Sequence, residues 1–345
     1  MDERLAELTF TIDDVTALRL ERETAAGFTR VTTEVHLESG NTAGRGEDVT
    51  YETADHEPFP TTGLDVVGSH TISSFSEKLD EQTLHPEPPQ RETSRHYRRW
   101  AFESAALDLA LRQAGQSLGD VLDRRVDPVR FVVSPSLRND NPDVGPVEEL
   151  LEAHPGTELK LDPTPDWNDG LIEALVDTGA VRVLDFKGFY EGTDVDNPPD
   201  PVLYDRILTA FPDAVVEDAR VTSDTRSLLE EHATRLSWDY PITGIDSIES
   251  LPFEPQWLNI KPSRFGTVAS LFEVLEYCER EEIRLYGGGQ FELGVGRGQI
   301  QTLAALFYPD GPNDVAPGGY NDPVPAPDLT ESPLELSPGI GFGRH

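Results

Sequence analysis

Over the first hundred residues, two runs, LAELTFTIDDV and TRVTTEVHLE, alternate apolar and polar positions between turn-rich stretches, as half-buried strands do. A longer segment, WAFESAALDLALRQAG, carries apolar residues at helical spacing, and a polar, proline-containing stretch, LHPEPPQRETSRHYRR, precedes it. Together these predict a small α+β domain. From Val129 onward the pattern changes to short β runs, namely VRFVVS, TELKLD, AVRVLDF, DAVVED, RLSWDY, WLNIKP and IRLYGG. Helix-like segments such as NDGLIEALVDTG, DPVLYDRILTAF, TRSLLEEHATR and RFGTVASLFEVLEYCEREE separate them. Seven such strands, with an eighth near NDVAP, predict an α/β fold: a (β/α) TIM-like barrel with an N-terminal α+β capping domain. A doubly wound sheet is the alternative that periodicity leaves open. On this reading residues 1–125 form the capping domain and 126–319 the barrel, while the proline-rich tail, 320–345, packs back on the first domain.

Composition narrows the picture. A chain of 345 residues with 37% apolar content can bury a full core. No stretch approaches the roughly 18 consecutive apolar residues of a membrane helix, and MDERLAELTFTIDD lacks a basic start followed by an apolar run, so a cytoplasmic location is expected. Cys278 is the single cysteine and, set in FEVLEYCEREE, reads as a small core residue. The net charge of −36 disfavours nucleic acid and anionic membranes as partners. Its 64 acidic residues are spread along the whole chain, which suits an acidic surface working at high salt; an ordinary acidic protein is the plainer alternative. Of 28 basic residues only Lys78, Lys160, Lys187 and Lys261 are lysines.

That depletion gives the remaining lysines weight. Lys160, Asp185, Glu217, Asp239 and Lys261 each fall near the C-terminal end of a successive predicted strand, the face on which strand ends of a barrel converge. The interval from Glu217 to Asp239 equals that from Asp239 to Lys261, one βα unit each, so these side chains recur at matching heights. Lysine offers a titratable amine where arginine stays charged, so lysines kept on this face suggest proton transfer. Taken singly, Glu217 and Asp239 could equally be surface acids, and Lys187 a salt-bridge partner. Gly287, Gly288 and Gly289 read as tight backbone geometry or, less simply, as a phosphate cradle. His70, His85, His96, His154 and His232 show no metal-ligand spacing.

The order Lys, Asp, Glu, Asp, Lys on successive strands, with NIKPSRFG around the last lysine and GGGQFELGVGRGQ on the following strand, resembles the muconate-lactonizing branch of the enolase superfamily, near the o-succinylbenzoate synthases. GRGEDVTYE resembles the capping loop that closes over substrate there, and FESAALDLA the helix leading into the barrel. The resemblance implies one Mg²⁺ held by Asp185, Glu217 and Asp239, and Lys160 and Lys261 as an opposed acid/base pair. It also places Glu292 on the seventh strand as a polar group. Lys187, Arg264, Gln290 and Glu292 would then be candidates for substrate contact, with structural roles the alternative for Arg264 and Gln290. Three departures stand out. TELKLD has one lysine where the family usually has Lys-x-Lys; Lys187 stands where Asn is common, a cation able to weaken metal binding; and Glu217 is followed by Asp218, a competing ligand.

The implied activity is that of a Mg²⁺-dependent lyase or isomerase that removes the α-proton of a small carboxylate substrate, dehydration as in o-succinylbenzoate synthase being favoured by the GGGQFELGVGRG segment. Muconate-type cycloisomerisation and racemisation or epimerisation are alternatives, and a non-catalytic barrel binding a small anion through its lysines is a reading of a different class. Homo-oligomerisation is left open.

Overall fold

The computed structural model describes residues 2–25, 27–57, 59–60, 63–137, 142–193, 195–337 and 339–343. The N-terminal part contains β1 (Thr9–Ile12), β2 (Asp14–Glu23), β3 (Thr29–Ser39), β4 (Thr42–Asp48) and β5 (Gly68–Thr71). β2, β3 and β4 form an antiparallel sheet, and β1 pairs antiparallel with β5. The sheet rests on the helix Thr93–Ala114. That helix begins seven residues earlier than WAFESAALDLALRQAG suggests, inside the polar stretch, because Tyr97 and Arg98 already face the interior. β4 approaches it so closely that a Cβ on Gly46 would lie 2.1 Å from the Ala101 carbonyl oxygen, and one on Gly44 2.3 Å from that of Ala105. Only glycine permits backbone to lie on backbone there.

The second part carries β6 (Val132–Val133), β7 (Glu158–Leu161), β8 (Val181–Asp185), β9 (Val215–Glu217), β10 (Leu236–Trp238), β11 (Trp257–Ile260) and β12 (Arg284–Gly287). They pair in parallel and in sequence order. The segment at Asn313 and Asp314 takes the eighth place, bridging Phe131 on one edge and Gly288 on the other. Its backbone bonds, Val132 N to Asn313 O at 2.8 Å and Asp314 N to Gly287 O at 2.8 Å, close the curled sheet. The expected barrel with its α+β cap is therefore the observed fold.

Covering helices start where the sequence supplies caps: Asn168 accepts from Leu171 N, Asp200 from Val202 N and Leu203 N with Pro201 behind it, and Thr267 from Ser270 N. Two further helices, Gly145–Ala153 and Val295–Phe307, are not foreshadowed by periodicity. The second begins within the glycine-rich run, whose glycines mask helical periodicity; its start is stabilised by capping-domain carboxylates, Glu34 accepting from Val295 N and Glu47 from Gly296 N. The C-terminal tail crosses both parts. Leu334 bridges Val129, and Phe342 is buried against Trp100 with its amide on Asp108 Oδ1.

Side chains alternate between the inside and the outside of the barrel. Leu159, Leu161, Leu184, Val216, Leu258 and Ile260 join the main core under the helices, whereas Val183, Val215 and Tyr286 pack together as a separate apolar cluster. Two residues beyond Val183 and Val215 on the same face come Asp185 and Glu217, which are register partners. An apolar floor thus carries a polar top.

Candidate active site

The polar top is assembled from strand ends. Lys160 pairs in register with Val183, one level below Asp185, after an irregularity in β7 at Leu159/Lys160. From there its ammonium reaches up to Glu217 Oε1 at 2.6 Å and Asp185 Oδ2 at 3.2 Å, with Asp314 Oδ2 at 3.8 Å. Glu217 also accepts from Asn259 Nδ2 at 3.2 Å and from the Tyr286 hydroxyl, which in turn lies 3.0 Å from Ser237 Oγ.

Two residues leave their strands through the left-handed region, Lys187 at φ 53° and Asp218 at φ 51°. The turn at Lys187 folds its own amide onto Asp185 Oδ1 at 3.1 Å and brings its ammonium onto Asp185 Oδ2, with Asp162 Oδ1 at 3.8 Å. Asp218 accepts the amides of Asp239 at 2.9 Å and Tyr240 at 3.0 Å, tying the end of β9 to the segment after β10.

Asp239 sits in a second cluster. Lys261 Nζ lies 2.9 Å from its Oδ2, Arg264 Nε 3.1 Å from its Oδ1, and the Tyr190 hydroxyl donates to Oδ2 at 3.0 Å. Asp185, Glu217, Asp218 and Asp239 are fully buried, and Lys160 and Lys261 are 2% and 6% exposed. Lys160 and Lys261 stand on the second and sixth strand positions, with the strands of Asp185, Glu217 and Asp239 between them.

Burial and pairing split the ionisation of these groups. Burial alone would raise Asp185, but Lys187 and Lys160 outweigh it and hold its carboxyl far below the usual range. Asp239 is likewise held low against burial, by Arg264 and then Lys261. Glu217 is pushed up to about 8 by burial, which Lys160 only partly offsets. Asp218 rises to about 7 through burial and the neighbouring Asp239 and Asp185 charges. Burial opposes the charge on Lys160, yet Glu217 and Asp185 raise its pKa well above that of a free lysine.

Asp185, Glu217 and Asp218 each present an oxygen within 4.8 Å of the others. Three hard oxygen donors at that spacing suit a divalent cation such as Mg²⁺, which prefers carboxylates and keeps other positions for water or substrate. Asp239, expected beside Asp185 and Glu217, is instead engaged by Lys261 and Arg264, while Asp218 stands in the close group.

Of the expected substrate contacts, Lys187 and Arg264 sit inside these clusters. Gln290 lies on the seam between the two parts: its Oε1 accepts from Tyr51 OH at 3.1 Å, its Nε2 donates to Tyr97 OH at 3.3 Å, and its carbonyl accepts from Arg30 at 3.0 Å. Glu292 falls beyond the end of β12, not on it, in the turn before Val295–Phe307, where it accepts Gln290 N at 2.7 Å and pairs with Arg297 at 3.3 Å. Sequence reasoning passes over Asn259, Tyr286, Tyr190 and Asp314. Asn259 precedes Lys261 by two on one strand and shares its face, a signal the strand period carries; Tyr286 looks like any apolar strand residue until its hydroxyl is placed.

A closed (β/α) barrel under an α+β cap is the fold of solved enolase-superfamily structures. A member of that superfamily from Listeria innocua superposes with a TM-score of 0.70 over 97% of this chain and 94% of its own, at 19% identity. A dipeptide epimerase from Methylococcus capsulatus, solved with a Mg ion, does so at 0.66 over 96% and 99%, at 18% identity. In sequence the chain is 24% identical over 258 residues to the o-succinylbenzoate synthase of Bacillus subtilis (strain 168), a match covering 70% of this chain and 66% of that relative, just under two thirds of its length. Residues 125–322 match the family described as "Domain of unknown function (DUF8230) C-terminal domain" and residues 3–121 its N-terminal domain, so the chain belongs to the DUF8230 family.

Proposed function

We propose that this chain is a Mg²⁺-dependent lyase or isomerase that removes the α-proton of a small carboxylate substrate, with a dehydration like that of o-succinylbenzoate synthase as the favoured reaction. The observation that carries the reading is the pairing of two nearly solvent-free lysines with buried carboxylates at the ends of strands on either side of the set. Relatedness to an o-succinylbenzoate synthase and the superfamily fold support it. Asp185 and Glu217 would hold the ion with Asp239 as third ligand, since Asp218 already spends both oxygens on backbone amides. A bound Mg²⁺ supplies positive charge against the negative charge that develops on a carboxylate when its α-proton leaves.

The two lysines are not equivalent. Lys160 faces Glu217 and Asp185 together and is held as an ammonium, suited to stabilising the developing anion through hydrogen bonding. Lys261 shares its one carboxylate partner with Arg264, so Asp239 keeps a counter-charge when Lys261 is neutral; Lys261 is the base. Burial excludes bulk water from both, which strengthens each electrostatic contact.

The test is proton exchange. In D₂O with Mg²⁺, a panel of small carboxylates bearing α-protons is followed by NMR, alongside a direct assay for o-succinylbenzoate formation. Exchange lost in Lys261→Ala and slowed in Lys160→Ala is the expected result. Exchange undiminished in both variants overturns the assignment, and a substrate bound without turnover or exchange in wild type favours the anion-binding barrel.

A further inference from the structure

Lys187 is one of four lysines in a chain that otherwise uses arginine, and it is the one whose backbone is bent to deliver it. A non-glycine residue in the left-handed region is held against its own steric preference. Here that conformation folds the chain back, so that both the amide and the ammonium of Lys187 land on Asp185, one on each oxygen. Asp162 Oδ1 lies 3.8 Å from the ammonium, and the centroid of the Tyr190 ring lies 5.1 Å from it. Asp185 therefore already has a cation on the oxygen that Lys160 also approaches at 3.2 Å.

We infer that Lys187 is a tethered competitor for the divalent cation: its ammonium holds Asp185 until an ion displaces it, and the ion's affinity is set by that exchange. The inference rests on the metal reading of Asp185 and Glu217. It concerns what the cation must move, not which reaction follows. Lys187 is 14% exposed by side chain against 3% for Lys160 and 7% for Lys261, so it is the least enclosed of the three.

The experiment uses the full chain and Mn²⁺ as probe, with free Mn²⁺ counted by electron paramagnetic resonance at constant ionic strength, in wild type, Lys187→Met and the control Lys78→Met. Removing one competing charge on a buried oxygen should tighten Mn²⁺ by about tenfold or more in Lys187→Met and leave Lys78→Met unchanged; a tenfold change corresponds to about 1.4 kcal/mol. A second readout follows the displaced group. Acylation of Lys187, measured by mass spectrometry after a brief pulse of an amine-reactive reagent, should rise when Mn²⁺ is added to wild type, while that of Lys78 stays level. Equal Mn²⁺ affinity in wild type and Lys187→Met, or weaker binding in the variant, overturns the inference while leaving the metal reading intact. Absence of binding in both overturns the metal reading and this inference with it. Should Lys187→Met fold poorly, Lys187→Gly, which relieves the left-handed strain, replaces it with the same expected tightening.

Discussion

Lys160 donates to Glu217 Oε1 at 2.6 Å, across two βα units, and both side chains are buried. Such a pair is costly to bury and costlier to break, because the survivor is left charged without its partner. Lys160→Met should therefore destabilise the chain by about 3–5 kcal/mol. Adding Glu217→Gln should return part of the loss, since the burial that pushes Glu217 up to about 8 then acts on no charge. Urea unfolding at fixed salt across the four-member cycle measures the coupling; strictly additive costs would show that the contact is energetically idle.

Asp218 and Asp239 separate by what their oxygens already hold. Asp218 anchors two backbone amides, whereas Asp239 is held by the side chains of Lys261 and Arg264. Asp239→Asn and Glu217→Gln should each weaken Mg²⁺ binding by about tenfold or more, on the scale seen when metal-site groups are altered, and each also loses stability because a buried cation is left without its partner. Asp218→Ala should lower stability by about 1–3 kcal/mol by leaving buried donors unpaired, with Mg²⁺ binding little changed. Calorimetric Mg²⁺ titration with thermal melts decides, and the reverse pattern makes Asp218 the third ligand.

Much of this arrangement is legible in the order of residues alone. Strand runs separated by helices point to the barrel, and the NDVAP segment does bridge its first and seventh strands, because short apolar runs buried on both faces look alike wherever they occur in such a sheet. The five polar residues at strand ends can be named from spacing, since a strand's period places Asp185 above Val183 and Glu217 above Val215. Their partners cannot. That Lys187 turns back onto Asp185 depends on a left-handed backbone at a lysine, which no pattern of apolar residues encodes. The helix after GGGQFELG is hidden for a related reason: its start is fixed by Glu34 and Glu47 from the other domain.

His85 and His56 predict an acid-side weakness. Burial, with Arg98 adding to it, pushes His85 down to about 4, and burial also lowers His56, with Asp48 partly opposing. Above the ordinary histidine value near 6.5 both folded and unfolded chains hold these rings neutral, and they contribute nothing to pH dependence. As pH falls from about 6.5 towards 4, the unfolded chain takes up protons that the folded one refuses, so stability is lost across that window and the loss levels off below it. Buried carboxylates with raised values, Glu103 and Asp108 among them, act in the opposite sense, so the difference between variants is the proper readout. His85→Gln should show a shallower fall in Tm between about pH 6.5 and 4.5 than wild type; parallel curves would mean that His85 titrates normally in the folded chain.

Salt should decide whether this chain keeps its fold. Its formal charge of −36 is spread over both parts, and only 28 basic residues face 64 acidic ones. Buried acids outnumber buried bases among the described residues, Glu47, Asp48, Glu103 and Asp108 lying inside along with the acids of the site, but they are few beside the total, so most of the negative charge stays on the surface. Self-repulsion of this kind opposes compactness in proportion to how far each charge is felt. The Debye length is about 30 Å at 0.01 M salt, the scale of a whole domain, and about 3 Å at 1 M, less than the spacing of surface side chains. Concentrated salt should therefore remove most of the penalty, and dilution restore it, with the surface pairs that exist, such as Arg124–Glu279 at 2.6 Å, too few and too exposed to compensate. Far-UV circular dichroism across a KCl series from about 10 mM to several molar should show a cooperative loss of structure on dilution, reversed by adding salt back. Replacing exposed acids on the covering helices, for example Glu149→Lys with Glu152→Lys on Gly145–Ala153, should move that midpoint to lower salt. A chain fully folded at about 10 mM KCl, or a midpoint unmoved by those substitutions, would mean that the core outweighs the acidic surface and that the charge reflects ordinary acidic composition.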